Sequence, residues 1–281
     1  MSIIGVIGAG VMGIGVAQRF AQKGHDVVLI DISEEILEVA KSNLEKNIRF
    51  YKMFAKNDTS VNEDIIGKIK FTTNYDLLKD VDYVIENVPE VFETKKEVYK
   101  LLESVCKKDC IYMVNTSCIS ITKIGGLTNR ADKVIGTHFM NPVPVKKATE
   151  VIKGYHTSEE TVAAVEALLE TVGKRAIVVN DYPGFVSNRI SHLLMNEAAY
   201  TLQDSVATVE DIDDIFKSCF EHKMGPLETA DLIGLDTVVS SLNILYESYQ
   251  DPKYRCCPLL RKMVDAGHLG RKTGKGFYEY F

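Results

Sequence analysis

Of the six histidines in this 281-residue sequence, His138 has the neighbours best suited to proton transfer. It follows the strand-like run VIGT, at the C-terminal edge where open parallel sheets gather their ligands. Pro142 and Pro144 come next and stiffen the loop. Glu150 lies twelve residues on, at the start of the next extended run, so an antiparallel return would bring its carboxylate beside the imidazole. A carboxylate there orients the ring, fixes its tautomer and stabilises the protonated form. Such a base takes the hydroxyl proton when a hydride leaves an alcohol carbon, and histidine is the common choice. On residues alone, a merely packed histidine is an equal alternative. Ser117, in NTS after the run IYMV, stands at another strand end and reads equally as a helix N-cap. Asn188, in the first turn of the helix after PGF, carries an amide that can donate to a carbonyl or hydroxyl. The remaining histidines, at 25, 156, 192, 222 and 268, read as solvated or packed.

A second constellation opens the chain. The run at 3–7 leads directly into Gly8-Ala9-Gly10-Val11-Met12-Gly13, and a helical pattern follows. In this strand–turn–helix setting Gly8 permits the tight turn, Gly10 lets backbone approach a pyrophosphate, and Gly13 lets helix pack close to strand. The helix start offers N–H groups and partial positive charge to the phosphates. The next run, DVVLI, leads into Asp31, 18 residues after Gly13. A carboxylate there accepts from both ribose hydroxyls and repels a 2′-phosphate, which favours NAD over NADP.

The elements that must hold these residues alternate through the first part of the chain. Apolar runs at 3–7, 26–30, 68–71, 81–85, 111–114, 133–137, 148–152 and 176–179 are separated in several places by helical segments. That pattern predicts βαβ units and a sheet covered on both faces. The turn-forming NDYPG at 180–184 marks a boundary. Helical patterns at 185–202, 209–220, 227–248 and 258–266 follow it. The expected fold class is α/β: a Rossmann-like dinucleotide-binding domain over 1–183, then an all-helical domain over 184–281 for substrate binding and dimerisation.

Further along, IGVIGAGVMGIGVAQ (4–18), NTSCISIT (115–122), HFMNPVP (138–144), TEVIKG (149–154), PGFVSNRI (183–190), MGPLETADLIGLD (224–236) and GRKTGKGFYEY (270–280) stand in order. By these segments the chain resembles the 3-hydroxyacyl-CoA dehydrogenase family along nearly its whole length, most of all its short bacterial members. The resemblance implies an NAD-dependent dehydrogenase acting on a 3-hydroxyacyl thioester, with His138 and Glu150 as the catalytic pair. It further implies that Ser117 and Asn188 hold the substrate oxygens, and that Glu90, Lys95, Ser117, Asn141 and Lys272 serve the cofactor.

Some segments depart from the family pattern. Relatives usually carry a Lys/Gly-rich stretch for the CoA nucleotide, but 47–69 is aromatic here, with Lys52 and Lys56 as the main basic candidates for holding the substrate's carrier. Lys146, Lys147 and Thr149 bring charge and a hydroxyl toward Glu150. The carrier is therefore expected to be either CoA or an acyl carrier protein, the latter as in glyceryl thioesters bound for polyketide extender units.

Other classes fare worse. The net charge of −6, with no dense basic block, excludes a phosphate-tracking surface. No run reaches the roughly 18 apolar residues of a membrane span, and no leader is evident, so a cytoplasmic protein is expected. The six cysteines lack metal-ligand spacing and read as reduced thiols, and no H-E-x-x-H exists. Ser117 lacks the GxSxG of a hydrolytic nucleophile. A structural protein or an NAD-binding redox sensor would not need the His/Glu pair. The apolar faces of the C-terminal helices predict a homodimer.

Overall fold

Each of the eight apolar runs becomes a strand, and all eight join one sheet. The computed structural model describes residues 1–54 and 64–280 and divides into two units, Met1–Tyr182 and Pro183–Phe281. In the first unit the elements run β1 (Ile3–Ile7), α1 (Val11–Gln22), β2 (Asp26–Ile30), α2 (Glu34–Phe54), β3 (Ile69–Thr72), β4 (Tyr83–Glu86), α3 (Phe92–Val105), β5 (Ile111–Val114), α4 (Ile121–Gly125), β6 (Val134–His138), β7 (Ala148–Lys153), α5 (Glu159–Thr171) and β8 (Arg175–Asn180).

The strand order is β3-β2-β1-β4-β5-β6-β7-β8. From β3 to β6 the pairs are parallel; β7 then pairs antiparallel with β6, and β8 runs parallel to β7. The order reverses between β1 and β4, the topological switch where such sheets leave a crevice at the strands' carboxyl ends. Apolar side chains of β1 and α1 such as Ile4, Val6, Val16 and Phe20 are fully buried, as expected for central strands covered by helices.

The second unit is helical, as its 3.6-residue periodicity predicts. It comprises α6 (Ser187–Gln203), α7 (Val209–Ser218), α8 (Pro226–Ile233), α9 (Leu235–Tyr249) and α10 (Pro258–Asp265). Met195, Ala199, Leu235, Val238, Leu242 and Leu260 form a core within it. Two buried carboxylates organise its backbone. Asp213 Oδ1 and Oδ2 accept from the N–H groups of Leu227 and Glu228, both at 2.8 Å, which satisfies the otherwise bare start of α8. Asp231 accepts from the N–H groups of Phe277 (3.0 Å) and Tyr278 (2.9 Å) and from the Tyr280 hydroxyl (2.9 Å). The C-terminal GKGFYEY segment is thus tied to α8.

Asp231→Ala leaves three donors without their acceptor and is expected to destabilise this unit by on the order of 3 kcal/mol, read as a lower urea midpoint. An unchanged midpoint would mean that the tail does not depend on this carboxylate. Among the described residues no helix is long and apolar enough to cross a membrane.

Candidate active site

The β6–β7 pairing sets His138 directly opposite Glu150, and opposed residues on neighbouring strands share one face of the sheet. His138 Nδ1 lies 3.1 Å from Glu150 Oε2, and Nε2 lies 3.1 Å from Ser117 Oγ. With the ring proton on Nδ1, the imidazole donates to the carboxylate and Nε2 is left as the basic atom beside the serine hydroxyl. Both side chains are 8% exposed, dry enough to strengthen the contact while leaving an approach. Ser117 does not cap a helix: the N-cap of α4 is Ser120, whose Oγ accepts from Lys123 N–H at 3.2 Å. Thr149, expected to add a hydroxyl next to Glu150, is buried on the opposite face of β7, because successive strand residues alternate sides. Lys146 and Lys147 are exposed.

At the switch point the glycine loop borders a cavity of about 590 Å³ whose walls include Gly8, Gly10, Val11, Met12, Asp31 and Val88. Gly8 has φ +92°, and its backbone carbonyl leaves no room for a side chain at Gly13. A Cβ at Gly10 would meet no atom within 4 Å. The start of α1 carries no side-chain cap, so its first N–H groups face a space an anion can enter. Asp31 directly follows β2 and accepts from Ala9 N–H (2.6 Å) and Ile32 N–H (2.7 Å), which holds its carboxylate on the cavity wall. These features fit an adenine dinucleotide: free N–H groups for the pyrophosphate and a carboxylate for the ribose.

Between cavity and histidine lies a charged network of which the sequence reading captured only part. Lys95, on α3, is fully buried. Its Nζ donates to Glu86 Oε1 (2.8 Å) and Oε2 (2.9 Å) and to the Asn115 carbonyl (3.2 Å). Burial pushes the Glu86 carboxyl up, with the Lys95 charge opposing it. Glu90 Oε1 accepts from the N–H groups of Ser117 (2.8 Å) and Cys118 (2.9 Å) and from the Thr116 hydroxyl. Beside this network Asn115 Nδ2 donates to Asn87 Oδ1 (2.7 Å), and Asn115 Oδ1 accepts from Phe139 N–H (3.2 Å), the residue after the histidine. Glu86, Asn87 and Asn115 are the site residues that sequence reasoning passed over. The available signal was in α3, where Lys95 takes the place of an apolar residue in the buried stripe Lys95, Tyr99, Leu102.

The loop 139–147 carries Asn141, which lines a second cavity of about 310 Å³ with Val11, Gly15 and Gln18. The Asn141–Pro142 bond is cis. Lys174, buried just before β8, donates to the carbonyls of Val143 and Lys146, both at 2.6 Å, and so fastens that loop. Burial brings its ammonium down to about 8. Asn188 and Lys272 belong to the second unit. Asn188 occupies the first turn of α6, where its carbonyl accepts from His192 Nδ1 at 3.0 Å. Lys272 Nζ pairs with Asp236 Oδ1 at 2.6 Å. Lys52 falls within α2, its side chain outside the described residues, and Lys56 lies outside them altogether.

The family model described as "3-hydroxyacyl-CoA dehydrogenase, NAD binding domain" matches residues 3–182, and "3-hydroxyacyl-CoA dehydrogenase, C-terminal domain" matches 184–280. A probable 3-hydroxybutyryl-CoA dehydrogenase of Bacillus subtilis is 45% identical over 98% of this chain and 96% of its own length. A 3-hydroxybutyryl-CoA dehydrogenase of Clostridioides difficile is 45% identical over 99% of each. Among solved structures, (S)-3-hydroxybutyryl-CoA dehydrogenase from Ralstonia eutropha superposes with a TM-score of 0.95 at 42% identity, covering 100% of this chain and 99% of the other.

Proposed function

The chain belongs to the 3-hydroxyacyl-CoA dehydrogenase family, and from that premise we propose how its residues divide the work of interconverting a 3-hydroxyacyl thioester and its 3-oxoacyl counterpart. The observation that carries the reading is His138 held between Glu150 on Nδ1 and Ser117 on Nε2. In the oxidative direction His138 Nε2 takes the substrate hydroxyl proton, and Glu150 stabilises the imidazolium that results. Ser117 Oγ steadies the substrate oxygen beside the base. In the reductive direction the same imidazolium returns the proton to the 3-oxo oxygen. NAD bound along the switch-point cavity would accept or deliver the hydride at C3, chemistry that no side chain here supplies.

Gly8, Gly10, Val11, Met12 and Gly13 would hold the pyrophosphate, and Asp31 the adenosine ribose. Glu90, Ser117 and Asn141 would border the nicotinamide half. Asn188 as a substrate amide and Lys272 as a cofactor contact rest on the resemblance alone. Asp31→Ser removes the carboxylate that repels a 2′-phosphate. The expected result is a fall of about tenfold or more in the ratio of kcat/KM with NAD to that with NADP. An unchanged ratio would take Asp31 out of cofactor discrimination.

We take the carrier to be coenzyme A, the group named in relatives that align along nearly the whole chain. The test is NADH formation with 3-hydroxybutyryl-CoA beside a matched 3-hydroxyacyl carrier-protein thioester, with His138→Ala as control. Turnover only on the carrier protein would overturn the CoA assignment while leaving the proton chemistry in place. We place the reaction in the cytoplasm, where thiols stay reduced. The helical unit is proposed to pair with a second copy, since Ile190, Val206, Ile215 and Phe220 are each at least half exposed in the chain by itself. Light scattering at micromolar concentration should return twice the chain mass, and a monomer would contradict the pairing.

A further inference from the structure

Lys174 is a buried cation whose ammonium meets backbone carbonyls rather than a carboxylate. The neighbouring charge that acts on it, the Arg19 guanidinium, is of like sign, so burial and repulsion both disfavour its charged form. An apolar side chain of similar volume would fill this space at less cost, so a lysine here asks for a use.

Both of its bonds end on one loop. Residues 139–147 join His138 to the strand that carries Glu150, and Asn141, Pro142, Val145, Lys146 and Lys147 in it are exposed. Val143 is the buried exception: it packs on α1, where a Cβ at Gly15 would come within 3.1 Å of Val143 Cβ. The second hold is the strand end of β8. Lys174 Nζ reaches the Val143 and Lys146 carbonyls, both at 2.6 Å, and Arg175 N–H donates to the Lys147 carbonyl at 2.8 Å. Lys174 is itself fixed, because Gly173 at φ +66° turns the chain out of α5 and Lys174 N–H donates to the Leu169 carbonyl at 2.9 Å.

The loop so held carries Asn141. Val11 lines both the cavity beside Asn141 and the larger one at the glycine loop. A dinucleotide that crosses the glycine loop and continues past Val11 therefore brings its nicotinamide half to Asn141.

We propose that Lys174 is a positioning residue for that half of the cofactor: it holds the 139–147 loop against α1 so that Asn141 stands where the nicotinamide must lie. Lys174 acts through the loop and not on the cofactor itself. The inference rests on Asn141 bordering the nicotinamide, so the experiment carries a control for that assignment.

Lys174→Met keeps most of the stem and removes both bonds. Its affinity for NADH, measured by calorimetry, should fall about fivefold or more. ADP-ribose shares the adenine half and the pyrophosphate of NADH but lacks the nicotinamide, and should bind within about twofold of wild type. Asn141→Ala should show the same split, and the double variant should lose no more than the worse single one, because Lys174 acts through Asn141. Wild-type NADH affinity in Lys174→Met, with Asn141→Ala weakened, overturns the proposal. So does an equal fall for both ligands, which would be damage to the whole fold and not to the loop. Wild-type NADH affinity in Asn141→Ala would instead remove the assignment on which the proposal stands, and the proposal falls with it. Should Lys174→Met fail to fold by circular dichroism, Lys174→Gln, which keeps a polar end in the buried site on a shorter stem, carries the same test. Unchanged NADH affinity there overturns the proposal equally.

Discussion

Replacing His138 with alanine is expected to lower kcat by about 10³-fold while NADH still binds, because a positioned general base contributes roughly 10²–10⁴ to such proton transfers. The variant leaves the β6–β7 register intact, since that register is set by backbone pairing from Gly136 to His138 and not by the imidazole. Glu150→Gln should cost less, about 10²-fold, because the amide oxygen still accepts from Nδ1–H but no longer stabilises an imidazolium. Removing both should cost little more than removing the histidine, since the carboxylate acts only through the ring. Steady-state NADH absorbance with 3-hydroxybutyryl-CoA gives kcat, and NADH fluorescence gives the binding control. A His138→Ala enzyme within about tenfold of wild type would transfer the base to another group and leave the His138–Glu150–Ser117 contacts as packing.

Part of this site is legible from spacing. Twelve residues suffice for a loop stiffened by prolines and an antiparallel return, and a carboxylate opposite a histidine on adjacent strands must share its face. The same alternation explains a failure. Lys146, Lys147 and Thr149 were grouped with Glu150 by proximity in sequence, yet Thr149 points to the other side of β7. The glycine loop is legible because its three glycines answer to backbone constraints, which do not depend on the rest of the fold.

The network beneath Ser117 was hidden for a different reason. A glutamate at a strand end and a lysine on a helix read as solvated charges, because such residues are almost never fully buried unless paired. Only the sheet order shows that β4, β5 and α3 bring Glu86, Asn115 and Lys95 together. Lys174 was missed on the same grounds. It stands just before β8, and the loop it fastens lies some thirty residues upstream (31 residues to Val143 and 28 to Lys146). Residue type carried the chemistry; the topology decided which charges face inward.

The glycine loop allows a comparison that separates folding from cofactor binding. A Cβ at Gly13 would stand 1.8 Å from the Gly8 carbonyl oxygen and 2.9 Å from its carbon, both backbone atoms that cannot step aside without moving β1 or α1. Gly13→Ala should therefore lower the melting temperature by several degrees, about what a 1–3 kcal/mol overpacking penalty produces, and weaken NADH binding as the loop shifts. Gly10 is the opposite case. A Cβ there meets nothing within 4 Å, so Gly10→Ala should melt with the wild type. The empty space is nonetheless the approach that backbone needs to reach a pyrophosphate at the start of α1, so NADH affinity should fall by about tenfold or more. Thermal unfolding and NADH fluorescence on the two variants give four numbers, and the crossed pattern is the expected one. Wild-type affinity in Gly10→Ala would mean that the dinucleotide does not pass over this turn, and Asp31 would lose its assignment to the ribose with it.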